Sequence, residues 1–391
     1  MQKIYLDNVA TAKVSNDVLT EMLNVYGESY GNPNSLHSFG RDSQAIVDLA
    51  RDRVANCINA NRGEIYFTSG GTESNNWALI GLALANRNKG NHIITSKFEH
   101  ESVLESCKRL EQLGFKVTYL SVDETGLVNV AELLHYLDEN TVLVSIMAAN
   151  NEVGTIQNLK AISKIVHEKG VLFHTDCVQA LGNFKIDVKD LDIDAMSLSA
   201  HKIHGPKGIG ALFVKNGVKI ENLIVGGEQE KGKRGGTLNV AEIAGFGKAC
   251  EITNLNYIID CKKLKYLRDY FVSQIEKNIP DITVNGHPHQ KLPSLASISF
   301  NNIDGKALMT LLDLAGIAVS TGSACSSGST EPSHVLLAMG FTPEKAKSTI
   351  RFSFGINNTK EEIDYVVSTL ITNVEKLRSL SPIKTNKKKV N

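Results

Sequence analysis

Residues 64–85 read EIYFTSGGTESNNWALIGLALA, and this stretch decides the fold class. A short run rich in β-branched and aromatic residues ends in two glycines, and behind them residues 77–86 carry apolar side chains at three- and four-residue intervals. The pattern is strand, tight turn, helix. It repeats outward along the chain: NHIITS (91–96), FKVTYLSV (115–122), TVLVSIMAA (141–149), VLFHTD (171–176), AMSLSA (195–200) and IGALFV (209–214) read as strands, making seven in all. Residues 102–113 and 156–169, lying between them, have helical spacing. Strands alternating with helices imply βαβ units, hence an α/β domain built on a mostly parallel sheet flanked by helices.

The pattern changes after about residue 257. A charged helical stretch (260–277) leads to LPSLASISF (292–300), a helix near 304–315, the strand TIRFSF (349–354) and a last helix over about 358–379, capped by Thr359 with Glu362 three residues on. The expected division is a large domain over 14–257 and a smaller α+β domain over 258–391 together with 1–13.

Composition bounds the function. With 391 residues, 42% of them apolar, the chain can bury a large core. Its 42 Lys and Arg cancel 42 Asp and Glu, so no global field draws in nucleic acid or acidic lipid. No run approaches the length of a membrane span, and the start MQKIYLDNVATAK lacks a signal-peptide layout, so a cytoplasmic protein with no membrane partner is expected. Six cysteines at 57, 107, 177, 250, 261 and 325 form no CxxC and no cluster, which argues against a disulfide framework or a stable metal cage.

The chemistry-bearing residues follow the strands. Glycines after 64–69 let backbone N–H groups approach an anion, and the helix that follows adds its positive end, so Gly71 and Thr72 read as a phosphate cradle. An ordinary glycine turn with Thr72 as N-cap is the competing reading. AMSLSAHKIHGPKGIGALFV (195–214) sets Ser199, His201 and Lys202 just past a strand end, where α/β sheets face their ligand crevice. Lys202 is there a candidate imine-forming amine, or else a surface cation. The pair His201 and His204 lacks the HExxH spacing and a third ligand, and so makes no zinc motif.

VLFHTDCVQALG is apolar until Asp176, a carboxylate that a protonated pyridine nitrogen could partner, with Gln179 facing the same ring; a helix cap is the plain alternative. Asn151 after 141–149 can donate to a phenolate or carboxylate oxygen, or simply form a turn. His100 after KFEH can stack on a planar ring or serve the fold. An anion cradle, a lysine, an aspartate and a histidine at one sheet edge together fit pyridoxal phosphate. Cys325 lies apart, in STGSACSSGSTEPSH, where little apolar surface is at hand to bury it; it reads as an accessible nucleophile or a harmless surface thiol.

Ten stretches in order, among them YLDNVAT, GNPNSLHSFG, FTSGGTESNN, NNEVGTIQ, HTDCVQALG, SLSAHKIHGPKGIGAL, RGGTLN, STGSACSSG and RFSFG, make the chain resemble the cysteine desulfurases, fold type I pyridoxal-phosphate enzymes of the class-V aminotransferase group. The resemblance implies that Lys202 anchors the cofactor, His100 stacks on it, and Asp176 and Gln179 contact the ring. Gly71, Thr72, Ser199 and His201 would hold the phosphate, while Thr237 would reach the phosphate of a neighbouring subunit, hence a homodimer. Asn151, which also borders the cofactor, and Arg351 would hold the carboxylate of L-cysteine. Cys325 would take the sulfur as a persulfide and pass it to an acceptor such as an iron-sulfur scaffold, touching a cluster only during transfer. The resemblance also admits a selenocysteine lyase or a class-V aminotransferase on the same scaffold. Val9, Asn34, Cys177 and Glu228 depart from the usual family residues.

Overall fold

A computed structural model describes residues 3–322 and 331–380. The strands are β1 (Ile4–Tyr5), β2 (Ile65–Thr68), β3 (His92–Ser96), β4 (Lys116–Leu120), β5 (Thr141–Ser145), β6 (Leu172–Asp176), β7 (Ala195–Ser199), β8 (Gly210–Val214), β9 (Ile282–Val284), β10 (Leu295–Phe300), β11 (Ile317–Ala318) and β12 (Thr349–Ser353). Seven of them form one sheet in the order β2-β8-β7-β6-β5-β3-β4, in which only β8 runs against its neighbours. Strands β3, β5, β7 and β8 are buried at every residue, which is why they read as continuous apolar runs rather than alternating ones.

Helices pack against this sheet. The one after the glycine turn begins at Gly71 and passes through a π-helical turn (Trp77–Gly81) before ending at Ala85. Trp77 is buried there, and its indole N–H donates to the Glu221 carbonyl. The helix Leu159–His167 starts later than its apolar spacing suggests. Asn158 caps it by accepting from the Ala161 N–H, and Ile156 pairs with Ala149 instead.

A second apolar cluster joins Ile4 and Leu6 to residues between Leu264 and Val374, around the antiparallel sheet β12-β10-β9. Phe271, Phe352 and Phe354 sit at its centre, with ring centroids 4.8 and 5.5 Å from Phe271. The charged stretch 260–277 is the later half of one helix, Val240–Asn278, that runs from the first cluster into the second. The parallel pairing of β1 with β11 ties the start of the chain to this second cluster. It also carries residues 7–11 back across the edge of the large sheet: Ala12 N–H donates to the His201 carbonyl.

Candidate active site

The carboxyl ends of β2, β3, β5, β6 and β7 open on one cavity of about 570 Å³. Its wall brings together Gly71 and Thr72 after β2, His100 after β3, Asn151 after β5, Asp176 and Gln179 at the end of β6, Ser199, His201 and Lys202 at the end of β7, and Arg351 of β12. These come from widely separated segments, and the sheet is what gathers them. Thr237 is exposed and lies outside this wall. Cys325 falls outside the described residues. Gly322 and the segment from Glu331 to His334, on either side of it in sequence, line the cavity.

Lys202 stands in a short 3-10 turn, and its ammonium donates to the carbonyls of Val9 and Ala10 at 2.6 and 2.8 Å. Gln179 Nε2 donates to the same Val9 carbonyl at 3.2 Å, so the N-terminal segment braces the amine and the amide together. Asp176 serves two neighbours: Oδ1 accepts from the Val178 N–H at 2.9 Å, as a turn cap would, and Oδ2 accepts from Asn75 Nδ2 at 2.7 Å. No helix follows Asp176, so it caps a turn and not a helix, and it stands on the cavity wall. Asn75 also donates to Ser102 Oγ, which lies 2.8 Å from His100 Nδ1. Because the Ser102 N–H also donates to Nδ1 at 3.1 Å, that nitrogen is an acceptor and the proton of the neutral imidazole sits on Nε2.

Burial, with the cations of Lys202 and Lys207 nearby, lowers the pKa of His201 to about 4, so the ring is neutral at ordinary pH and can offer one N–H. Behind His100, burial pushes the Glu99 carboxyl up to about 8. Its Oε1 accepts from Ser96 Oγ at 2.7 Å and the Met147 N–H at 3.0 Å. Arg351, 2% exposed, donates through Nη2 to Asp7 at 2.9 Å and through Nη1 to the Asn151 carbonyl at 3.0 Å. Its Nε is buried and has no hydrogen-bond partner among the described residues.

These residues fit pyridoxal phosphate. At Gly71 a Cβ would stand 2.6 Å from Val178 Cγ2 and 3.7 Å from Ser199 Cβ, so only glycine brings the backbone this close to the cavity floor. The first-turn N–H groups of the helix starting there have no intrahelical acceptor and suit a phosphate. Asn75 Oδ1 is a buried acceptor left without a partner among the described residues, on the cavity wall beside Asp176. An amine, a carboxylate and a neutral imidazole complete the set that the cofactor requires.

Sequence reasoning missed Asn75, Ser102, Glu99 and Asp7. Each sits beside a residue it did select, but only the fold shows the contact. Asn75 lies one turn along the helix from Gly71, and that helical spacing was the available signal.

The aminotransferase class-V family profile matches residues 4–366. The chain is 49% identical over 384 residues to the cysteine desulfurase IscS of Clostridium botulinum, covering 98% of this chain and 97% of that one. A solved NifS-like protein matches with a TM-score of 0.91 at 41% identity, over 96% of this chain and 100% of its own. SspA, solved in complex with cysteine, matches with a TM-score of 0.80 at 33% identity, over 92% of this chain and 100% of its own. With pyridoxal phosphate as its cofactor and the family profile spanning nearly its whole length, the chain belongs to the aminotransferase class-V family.

Proposed function

We propose that the protein is a cysteine desulfurase: L-cysteine and the Cys325 thiol give L-alanine and a Cys325 persulfide. One observation carries the reading. The cavity that holds Lys202, Asp176 and Arg351 is also lined by Gly322 and by Glu331 to His334, the described residues that flank the Cys325 segment in sequence. The likeness to IscS and to a NifS-like protein supports the same activity.

When bound, pyridoxal phosphate supplies an electron sink for the carbanion at the substrate α-carbon. The chain does the rest. Arg351 and Asn151, both on the cavity wall, hold the substrate carboxylate. Lys202 Nζ moves the α-proton. His100, with its proton fixed on Nε2, exchanges a proton near the leaving sulfur. The Cys325 thiolate attacks that sulfur and keeps it. Asp176 holds a positive charge in the ring, with Asn75 fixing its carboxylate at 2.7 Å.

The finer assignments belong to the same proposal. The exposed Thr237 serves a second copy of the chain in a homodimer; the Arg234 guanidinium, held by Glu73 Oε1 at 2.8 Å, keeps its loop next to the cradle. Sulfur leaves to an acceptor protein such as an iron-sulfur scaffold, and the enzyme works in the cytoplasm. Among the described residues no helix is long and apolar enough to cross a membrane. Residues 1–13 with 258–391 form the smaller domain, supported by the second apolar cluster.

The test uses purified holoprotein. With L-cysteine it should release alanine, and borohydride reduction followed by peptide mapping should leave the cofactor on Lys202. Keto-acid-dependent amino transfer that survives Cys325→Ser would favour an aminotransferase instead.

A further inference from the structure

Glu152 follows Asn151 in the turn after β5 and is 5% exposed, yet the chemistry above gives it no task. Its backbone is fixed first: the N–H groups of Glu152 and Val153 donate to Asn150 Oδ1 at 2.8 and 3.1 Å, and Asn150 Nδ2 donates to the Phe98 carbonyl at 3.0 Å. Its carboxyl then meets both sides of the Cys325 segment. Oε2 accepts from Ser333 Oγ at 2.5 Å, and the same oxygen abuts Gly322 so closely that any side chain there would overlap it. A Cβ at Gly322 would also lie 3.7 Å from Ser333 Cβ, so the chain leaves and returns at one point. The neighbouring contacts hold the same ends. Ser320 and Arg351 exchange backbone hydrogen bonds at 2.6 and 3.2 Å, and His334 Nε2 lies 2.9 Å from the Glu99 carbonyl.

We propose that Glu152 is a positioning residue for sulfur transfer, its buried carboxyl clasping Gly322 and Ser333 against the Asn151 turn. The place from which Cys325 is delivered is thereby fixed relative to the group that holds the substrate carboxylate. This rests on the desulfurase reading. A thiol displaced by an ångström loses much of its advantage as an attacking group, whereas the Arg351 guanidinium keeps its own hydrogen bonds to Asp7 and to the Asn151 carbonyl. The clasp therefore acts on kcat far more than on KM.

The experiment compares full-length holoenzyme with Glu152→Ala, Ser333→Ala, Glu152→Gln and Ser333→Thr. The alanine variants should lose about 10- to 100-fold in kcat while KM for L-cysteine stays within about threefold. Without substrate, the rate at which iodoacetamide alkylates Cys325, mapped by peptide mass, should change by about threefold or more in both. Glu152→Gln keeps an acceptor and Ser333→Thr keeps the hydroxyl, so both should recover most of kcat and the parental alkylation rate. Ser333 Oγ also accepts from the Leu336 N–H at 3.2 Å and caps the helix His334–Ala338, so the double alanine variant should be no worse than Ser333→Ala alone. Alanine variants with parental kcat and parental alkylation would overturn the proposal, as would a loss confined to KM. If Glu152→Ala does not fold, Ser333→Ala carries the same comparison. If the parent releases no alanine, the desulfurase reading fails separately, and the alkylation rates still decide whether the clasp exists.

Discussion

Arg351 Nη2 donates to the Asp7 carboxylate at 2.9 Å across 344 residues of chain, so the arginine proposed to bind substrate is already held by a residue near the N-terminus. Its other amine, Nη1, is held by the Asn151 carbonyl, which leaves one N–H on each amine for a second carboxylate. Asp7 therefore orients the guanidinium rather than blocking it.

Asp7→Ala should raise KM for L-cysteine by about tenfold with kcat changed much less, because the guanidinium loses its anchor but keeps its charge. It should also lower stability, on the order of 3 kcal/mol, since a buried cation is left without its carboxylate. Steady-state kinetics and denaturant titration check the two effects.

The Glu99 carboxyl gives a pH signature. Its folded pKa of about 8 lies above the ordinary carboxylate value because of burial, so the folded state binds more protons than the unfolded chain between the two values. The contribution is full at acid pH and is lost as pH rises through about 8. His201 works in the opposite range. Held at about 4, it costs stability as pH falls below the ordinary histidine value of about 6.5 toward that point. Thermal midpoints should decline on both sides, and Glu99→Gln should flatten the alkaline decline while leaving the acid one.

Gly71→Ala places a methyl 2.6 Å from Val178 Cγ2 and should cost about 1–3 kcal/mol through overpacking. Cofactor content after purification should fall with it. Equal cofactor occupancy and an equal thermal midpoint in that variant would remove Gly71 from the cradle.

Asn75→Ala strips the donor shared by Asp176 and Ser102, leaving buried acceptors unsatisfied. Its kcat should drop about tenfold, corresponding to about 1.4 kcal/mol in the transition state, with cofactor still bound. Absorbance of the bound cofactor, read alongside kinetics, separates this from simple loss of the cofactor.

Much of the architecture was legible because β3, β5 and β7 are buried throughout and their carboxyl ends carry the polar residues. Apolar runs marked the strands, and polar side chains within a few residues of their carboxyl ends marked the candidate site. Less legible was the helix Val240–Asn278, whose first half is dense in buried Ala and Gly and has no single polar face. The supporting residues were hidden for a different reason. Asp7 meets Arg351, Asn75 meets Asp176 and Glu152 meets Ser333 only after the chain has folded, and no local pattern joins partners so far apart in sequence.

The most direct test follows the sulfur atom itself. Holoprotein given L-cysteine for about one turnover, then alkylated, digested and weighed peptide by peptide, should show one added sulfur on the peptide bearing Cys325, in step with the alanine released. Alanine released while Cys325 stays unmodified, or sulfur found instead on Cys57 or Cys261, would contradict the account.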